Sequence, residues 1–360
     1  MTDKRTPVLE LKHVDMTFIK RLGLMRPPLR IQALKDISLK IFPGEVLAVV
    51  GESGGGKTTI GNIFTDILQP TSGEVCFEGG EHIADLKLRS RLFSGTSVKS
   101  QVTFLFIAGV IALAHFAATL SLVITPDGAP REVSQIAPFF DTPILWLWLL
   151  GLSFSKPAVL AIAVLNSMLA ALAVSLPFWY LQQWRRRRPV REKLREFRRQ
   201  VQIVQQDAYA ALNPAHTVAY SLSTPMLRLG VVSSKKAAMK RVIELLELVE
   251  LRPVGQYLNK YPHQLSGGQR QRILLARAIS LGPKVIVADE PVSMIDVSLR
   301  ISALNLMRKL NRELNISFVY ITHDLGTARY IGREGRILVL YLGTIVETGS
   351  LPDVIGNPRH

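Results

Sequence analysis

The sequence predicts an α/β fold: a mostly parallel sheet covered by helices on both faces, interrupted by an apolar, all-α insert. Three observations predict it. Short apolar runs that read as buried strands, EVLAVVG (45–51), KVIVAD (284–289) and ISFVYITHD (316–324), alternate with helix-like stretches. A glycine-rich loop from Gly51 to Thr58 follows the first of these strands and precedes a helical pattern. Two charge-free runs, Val102 to Ile124 and Ala158 to Leu181, lie between that loop and the later strands.

Composition bounds the rest. The chain has 360 residues, 44 Lys+Arg against 28 Asp+Glu, and a formal charge of +16. With 48% hydrophobic and only 20% charged residues, it is too apolar for a disordered chain. One cysteine, Cys76, excludes a disulfide framework and a multi-cysteine metal site, and reads as a small core residue. The opening MTDKRTP has no apolar core, so no secretory leader is expected. No fixed-period repeat is evident.

Taken in order, residues 8–50 read mainly as strands, with a rough apolar alternation in VLELKHVDMTF. GEVCFEG (73–79) is strand-like, REKLREFRRQ (191–200) helical, VQIVQQ (201–206) strand-like, and Ser233 to Leu251 a helix with Lys, Arg and Glu on its wet face.

The two charge-free runs are each long enough to span a bilayer of about 30 Å hydrocarbon thickness. Ile144 to Phe154 is too short, and its Trp146 and Trp148 suit a membrane interface. Charge sorts by side: Lys87 to Lys99 carries +4, Arg185 to Arg199 carries +7, and Thr125 to Thr142 carries −2. Both flanks are therefore expected on the cytoplasmic side and the middle loop outside. Most of the excess positive charge thus sits beside the spans, which weakens a nucleic-acid reading. The competing reading of the same runs is buried helices of a soluble core.

Gly51-Glu-Ser-Gly-Gly-Gly-Lys57-Thr58 satisfies the pattern of a phosphate-binding loop in its required strand–loop–helix context. Glycines let backbone N–H groups converge on phosphate oxygens, Lys57 would reach the terminal phosphates, and the Thr58 hydroxyl would ligate Mg²⁺. The expected nucleotide contacts are Gly51, Ser53, Gly54, Gly56, Lys57, Thr58 and Thr59. VIVAD ends in Asp289, assigned to Mg²⁺, and Glu290 is placed to orient or deprotonate the attacking water.

LSGGQRQR (265–272) is, physically, a glycine pair after a serine that opens a helix or forms a turn. It resembles the signature of ATP-binding-cassette (ABC) ATPases. QDAYAALNP (206–214), YPHQLSGGQRQR (261–272), VLYLGTIVETG (339–349) and the final NPRH resemble the ATPase subunits of dipeptide and oligopeptide importers. The resemblance covers residues 8–81 and 190–360. It implies a P-loop NTPase ABC ATPase core with a helical signature subdomain: core at 1–86, inserted transmembrane hairpin at 87–189, lid and signature subdomain at 190–280, and core again at 281–360.

The resemblance also assigns residues. Phe18 matches the aromatic that stacks on adenine, with a core aromatic as its competitor. Gln206 matches the lid glutamine and a Mg²⁺ ligand, with Gln205 as the competing alignment. His323 matches the histidine on the γ-phosphate. Ser266, Gly267, Gly268 and Gln269 would act on ATP bound by a partner. Asp296 matches the loop that crosses the dimer interface, and can also be a helix N-cap. Implied cofactors are ATP and Mg²⁺. Implied partners are a second ABC ATPase subunit (a homo- or heterodimer), two permease subunits, an extracytoplasmic binding protein and membrane lipid, with no nucleic acid; the implied location is the cytoplasmic membrane. Importer ATPases of this kind normally carry no span, so the insert departs from the family. Because Lys57 and Gln206 must share one side, the chain must cross an even number of times between them. The family also usually continues past Asn-Pro-Arg-His, where this sequence stops at His360. Competing functions are the same engine on oligosaccharide or metal-ion cargo, a non-transport cassette acting on nucleic acid or ribosomes, and an exporter with a fused membrane domain.

Overall fold

Two sheets carry the strands of the residues described, 6–20, 28–80, 82–83 and 192–359 of a computed structural model. The first is antiparallel, in the order β2 (Leu29–Ile41), β1 (Leu9–Lys20), β4 (Ser72–Phe77). Along β1, Leu9, Leu11, Val14 and Met16 are buried while the residues between them stay wetter. One buried face and one wet face is the arrangement that antiparallel strands tolerate. The expected mostly parallel sheet is therefore only part of the answer: the early strands segregate into a sheet of their own.

The second sheet runs β5 (Val201–Val204), β6 (Val285–Asp289), β7 (Ser317–Thr322), β3 (Val46–Gly51), β8 (Arg336–Tyr341), β9 (Thr344–Ser350). Its first five strands are parallel and β9 pairs antiparallel with β8. Every residue of β6 and β7 is buried, as expected of central parallel strands covered on both faces. Because β5 pairs with β6, the first strand after the insert is part of this core sheet, although it falls within the 190–280 segment.

Successive strand residues serve opposite faces. Val287 and Ile321 press on helix α1 (Lys57–Phe64), where a methyl group added to Gly61 would lie 2.8 Å from Ile321 Cδ1. Ile286, Ala288, Phe318 and Tyr320 point the other way, into the main core. A helix at 192–200, α2, returns the chain from the insert and sets Phe197 edge-on to Phe77, ring centroids 5.4 Å apart. There follow α3 (Ala208–Ala211), α4 (Val218–Arg228), α5 (Lys235–Leu248), α6 (Gly255–Leu258), α7 (Gly267–Ile279), α8 (Val297–Leu314), α9 (Leu325–Ile331) and α10 (Leu351–Gly356). The helix expected from Ser233 is α5, capped by Ser234 and burying Ala238, Val242, Leu245 and Leu246 on one stripe. Cys76 is buried on β4, as expected.

The expected spans at 102–124 and 158–181, and the interfacial run at 144–154, lie outside the described residues. Among the described residues no helix is long and apolar enough to cross a membrane.

Candidate functional site

Four neighbouring parallel strands, β5, β6, β7 and β3, end on the same edge of the sheet, and the segments leaving them carry most of the expected site. Ligands of open α/β sheets bind beyond such carboxyl ends. Gln206 follows β5, Asp289 ends β6 with Glu290 next, His323 follows β7, and Gly51 ends β3.

The loop after β3 wraps around the ammonium of Lys57, which is only 6% exposed. Lys57 Nζ donates to Gly51 O (2.8 Å) and Glu52 O (2.7 Å), closing the cradle from inside. Gly56 caps α1 in the left-handed region (φ 99°), and a Cβ there would lie 2.5 Å from Ala33 O. Only glycine suits that position. Ser53, Gly54 and Thr58 are exposed at the open side, and Thr59 is half-buried behind them.

Glu290 is the centre of a polar cluster. Gln206 Nε2 donates to its Oε2 at 2.9 Å, and His323 Nδ1 lies 2.8 Å from its Oε1. Its backbone is pinned by its N–H donating to Ile321 O (2.9 Å), and its carbonyl accepts from Ser293 Oγ (2.9 Å). The residue sits at φ 44°, a conformation that a side-chain-bearing residue keeps only where the surroundings enforce it. Gln206, rather than Gln205, makes the contact.

Thr58 Oγ1 lies 3.3 Å from Asp289 Oδ1, which joins the loop to the end of β6. Burial raises the Asp289 carboxyl above its ordinary range, and nearby Glu290 raises it further, against the hydrogen bond from Thr58 and the Lys57 charge. Burial likewise lowers Lys57, opposed by Glu290 and Asp289. A buried carboxylate short of compensating charge, with a hydroxyl beside it, is a donor set that fits Mg²⁺. That ion takes only one or two protein oxygens, the rest coming from water and phosphate.

Other expected residues stand apart. Phe18 is 38% exposed on β1 opposite Ile31, so it is not a core aromatic. Ser266 caps α7 by accepting from Gln269 N (3.3 Å), and Gln269 Oε1 accepts from Ser266 N (3.1 Å). This signature turn abuts the loop of Asp296: a Cβ on Gly268 would lie 3.2 Å from Leu299 Cδ1, and one on Gly267 3.6 Å from Met294 O. Asp296 occupies the N-cap position of α8, but its side chain makes no capping bond. Around it Met294 and Val297 are 68% and 72% exposed.

Sequence reading missed the supports of the site. Arg270 stacks on Tyr209, 3.9 Å from the ring centroid, and Arg277 donates to Ala211 O (2.8 Å), so two arginines of α7 hold α3, which follows Gln206. Gly343 donates to Gly55 O at 3.1 Å, joining the β8–β9 turn to the glycine loop. The glycine at 343 was the local hint of that turn; Leu342 ahead of it is not a residue that favours the left-handed first position, φ 44°.

Residues 34–109 and 181–293 match the family described as ABC transporter. Among curated proteins, the chain is 30% identical over 360 residues to the oligopeptide transport ATP-binding protein OppF of Bacillus subtilis, covering all of this chain and 80% of that one. It is 28% identical to the dipeptide transport ATP-binding protein DppF of Haemophilus influenzae, covering 99% and 76%. It is 31% identical over 355 residues to the glutathione import ATP-binding protein GsiA of Salmonella paratyphi A, covering 98% of this chain but only 40% of that protein. Among solved structures, the post-hydrolysis dimer of the ATP-binding cassette MJ0796 bound to ADP and Pi matches with a TM-score of 0.56 at 22% identity, covering 95% of this chain and 98% of that one. The cbiO1 structure from Clostridium perfringens gives 0.56 at 18%, covering 98% and 92%. At those identities the structural likeness concerns the fold.

Proposed function

The chain belongs to the ABC transporter family, and from that premise we propose that it is the ATP-binding and ATP-hydrolysing subunit of an importer of di- or oligopeptides. The observation that carries the hydrolytic reading is the convergence of Gln206 and His323 on Glu290, beside Lys57, Thr58 and Asp289. The relatives' names, peptide and glutathione importers, support the cargo class. Glutathione is itself a peptide, so the two names describe one chemical class.

In this reading the loop amides and Lys57 hold the β- and γ-phosphates, and Phe18 stacks on the base. Thr58 and Asp289 hold Mg²⁺, which when bound neutralises charge developing on the phosphates. Glu290 orients the attacking water and accepts its proton. Its side chain is first released from one of its two present partners, since Gln206 and His323 occupy one oxygen each. Gln206 then serves as the lid, and His323 meets the γ-phosphate.

Assembly follows the same logic. Ser266, Gly267, Gly268 and Gln269 act on the ATP of a second cassette, and the Asp296 loop lies at that contact. The exposed Met294 and Val297 around Asp296 favour such a role, since clustered exposed apolar residues mark interaction surfaces. Two permeases, an external binding protein and the membrane complete the proposed importer. The insert at 87–189 is proposed as a two-span hairpin beside the permease, on the strength of its apolar runs and flanking charge; the family match also lapses between 109 and 181.

The direct test is Mg²⁺-dependent ATP turnover of the assembled complex with Glu290→Gln. Losing a general base removes about 10²- to 10⁴-fold of rate while ATP binding persists. Undiminished turnover in that variant removes the assignment.

A further inference from the structure

We propose that Gly343, at the tip of the β8–β9 hairpin, is a positioning residue for the phosphate-binding loop. Through its bond to Gly55 O it turns the Gly56 N–H toward the phosphate. The proposal rests on the nucleotide reading above and adds a residue about 290 positions away from the loop that sets the loop's donor geometry.

The argument begins with one peptide plane. In a planar trans peptide the carbonyl and the following N–H point in opposite directions. Gly55 O accepts from Gly343 N at 3.1 Å, so the Gly55 carbonyl faces the hairpin. The N–H on the same plane belongs to Gly56, and it must face away from the hairpin, to the side that the loop encloses. An N–H aimed at an anion is among the stronger hydrogen bonds, and one turned away contributes nothing.

Gly343 is itself held from a second side. Its carbonyl accepts from Lys35 N at 2.8 Å, which fixes the hairpin tip to β2. The same stretch of β2 walls the loop, because Ala33 O and Leu34 Cδ2 lie 2.5 and 2.8 Å from where a Cβ on Gly56 would stand. The tip can hold both bonds only as glycine. Gly343 has φ 78°, Leu342 before it has φ 44°, and a Cβ on Gly343 would lie 2.6 Å from Ala33 O. Two left-handed residues make the two-residue turn whose twist suits a hairpin. Any side chain at 343 pushes the tip off β2 and takes the donor from Gly55.

The test uses the purified full chain and inorganic pyrophosphate without magnesium. Gly343→Ala should weaken pyrophosphate binding about tenfold or more at temperatures well below its melting point. It should also abolish the shift that pyrophosphate produces in the Gly56 amide resonance of glycine-labelled protein. Gly230→Ala is the control: it imposes the same positive φ, 71°, with nothing within 4 Å, and should lower the melting temperature without touching affinity. If Gly343→Ala does not fold, one glycine inserted between Leu342 and Gly343 keeps the hairpin while displacing the donor, and the same loss is expected. Native affinity together with the native Gly56 shift in either variant overturns the proposal. A native chain that binds no pyrophosphate and no ATP overturns the nucleotide reading itself, and this proposal with it.

Discussion

Asp289, the proposed Mg²⁺ ligand, is held in the free protein at a cost to stability. It is 7% exposed, and burial holds its carboxyl above the ordinary value of 3.8. A raised carboxyl pKa means that the folded chain binds the proton more tightly than the unfolded one. Its ionisation therefore opposes folding, not at all below the ordinary value and fully once the pH exceeds the raised one. Asp289→Asn should accordingly raise the melting temperature of the nucleotide-free chain at neutral pH. The gain should shrink on acidification and vanish near the ordinary carboxyl value, as calorimetry across that range would show. The same variant should lose most Mg²⁺-dependent turnover, because an amide cannot supply the anionic oxygen. A flat pH dependence of the stability gain would place its origin elsewhere. Lys57 behaves in the mirror sense: its lowered pKa makes the buried ammonium a strain on the fold. That strain is absent above the ordinary lysine value, grows as the pH falls below it, and is complete once the pH is below the lowered one.

Among elements, helix α7 carries two duties at its first turn. Ser266 closes a capping box with Gln269, and the same hydroxyl is exposed at the proposed contact with a partner's nucleotide. Ser266→Ala should lose the cap, about 0.5–2 kcal/mol, visible as a lower denaturant midpoint with an unchanged slope. Ser266→Asp should keep the cap, since a carboxylate accepts the same N–H and suits the helix N-terminus. It should nevertheless block ATP-driven association by repelling the triphosphate. The pair separates fold from function: if Ser266→Asp associates as the native chain does, the signature turn does not meet nucleotide. That capping box was readable as Ser-Gly-Gly-Gln ahead of an apolar stripe, and so was the Ser234 cap of α5. The clamp of Arg270 on Tyr209 was not readable, because nothing local in either segment specifies the other.

At the scale of the whole molecule, residues 1–87 and 192–360 make up one compact unit and residues 88–191 another. Within the first unit, the segments leading to the two junctions touch through Phe77 and Phe197. A variant with residues 88–191 replaced by a short Gly-Ser linker should therefore fold, bind ATP with native affinity, and lose only what the insert supplies. Membrane fractionation beside an ATP-binding assay checks both halves; a variant that cannot bind ATP makes the insert part of the cassette. The strands, the caps, the glycine loop and the family signature were legible in the sequence, because each is fixed by residues within a few positions of one another. The separate antiparallel sheet, the place of β5 in the core and the anchoring of the loop by Gly343 were not. Gln206 and Glu290 are 84 positions apart, and Thr58 and Asp289 are 231 apart. What brings them together is the strand order β5-β6-β7-β3, which places four carboxyl ends side by side. Local pattern sets which residues can do chemistry; only the pairing of distant strands sets which of them meet.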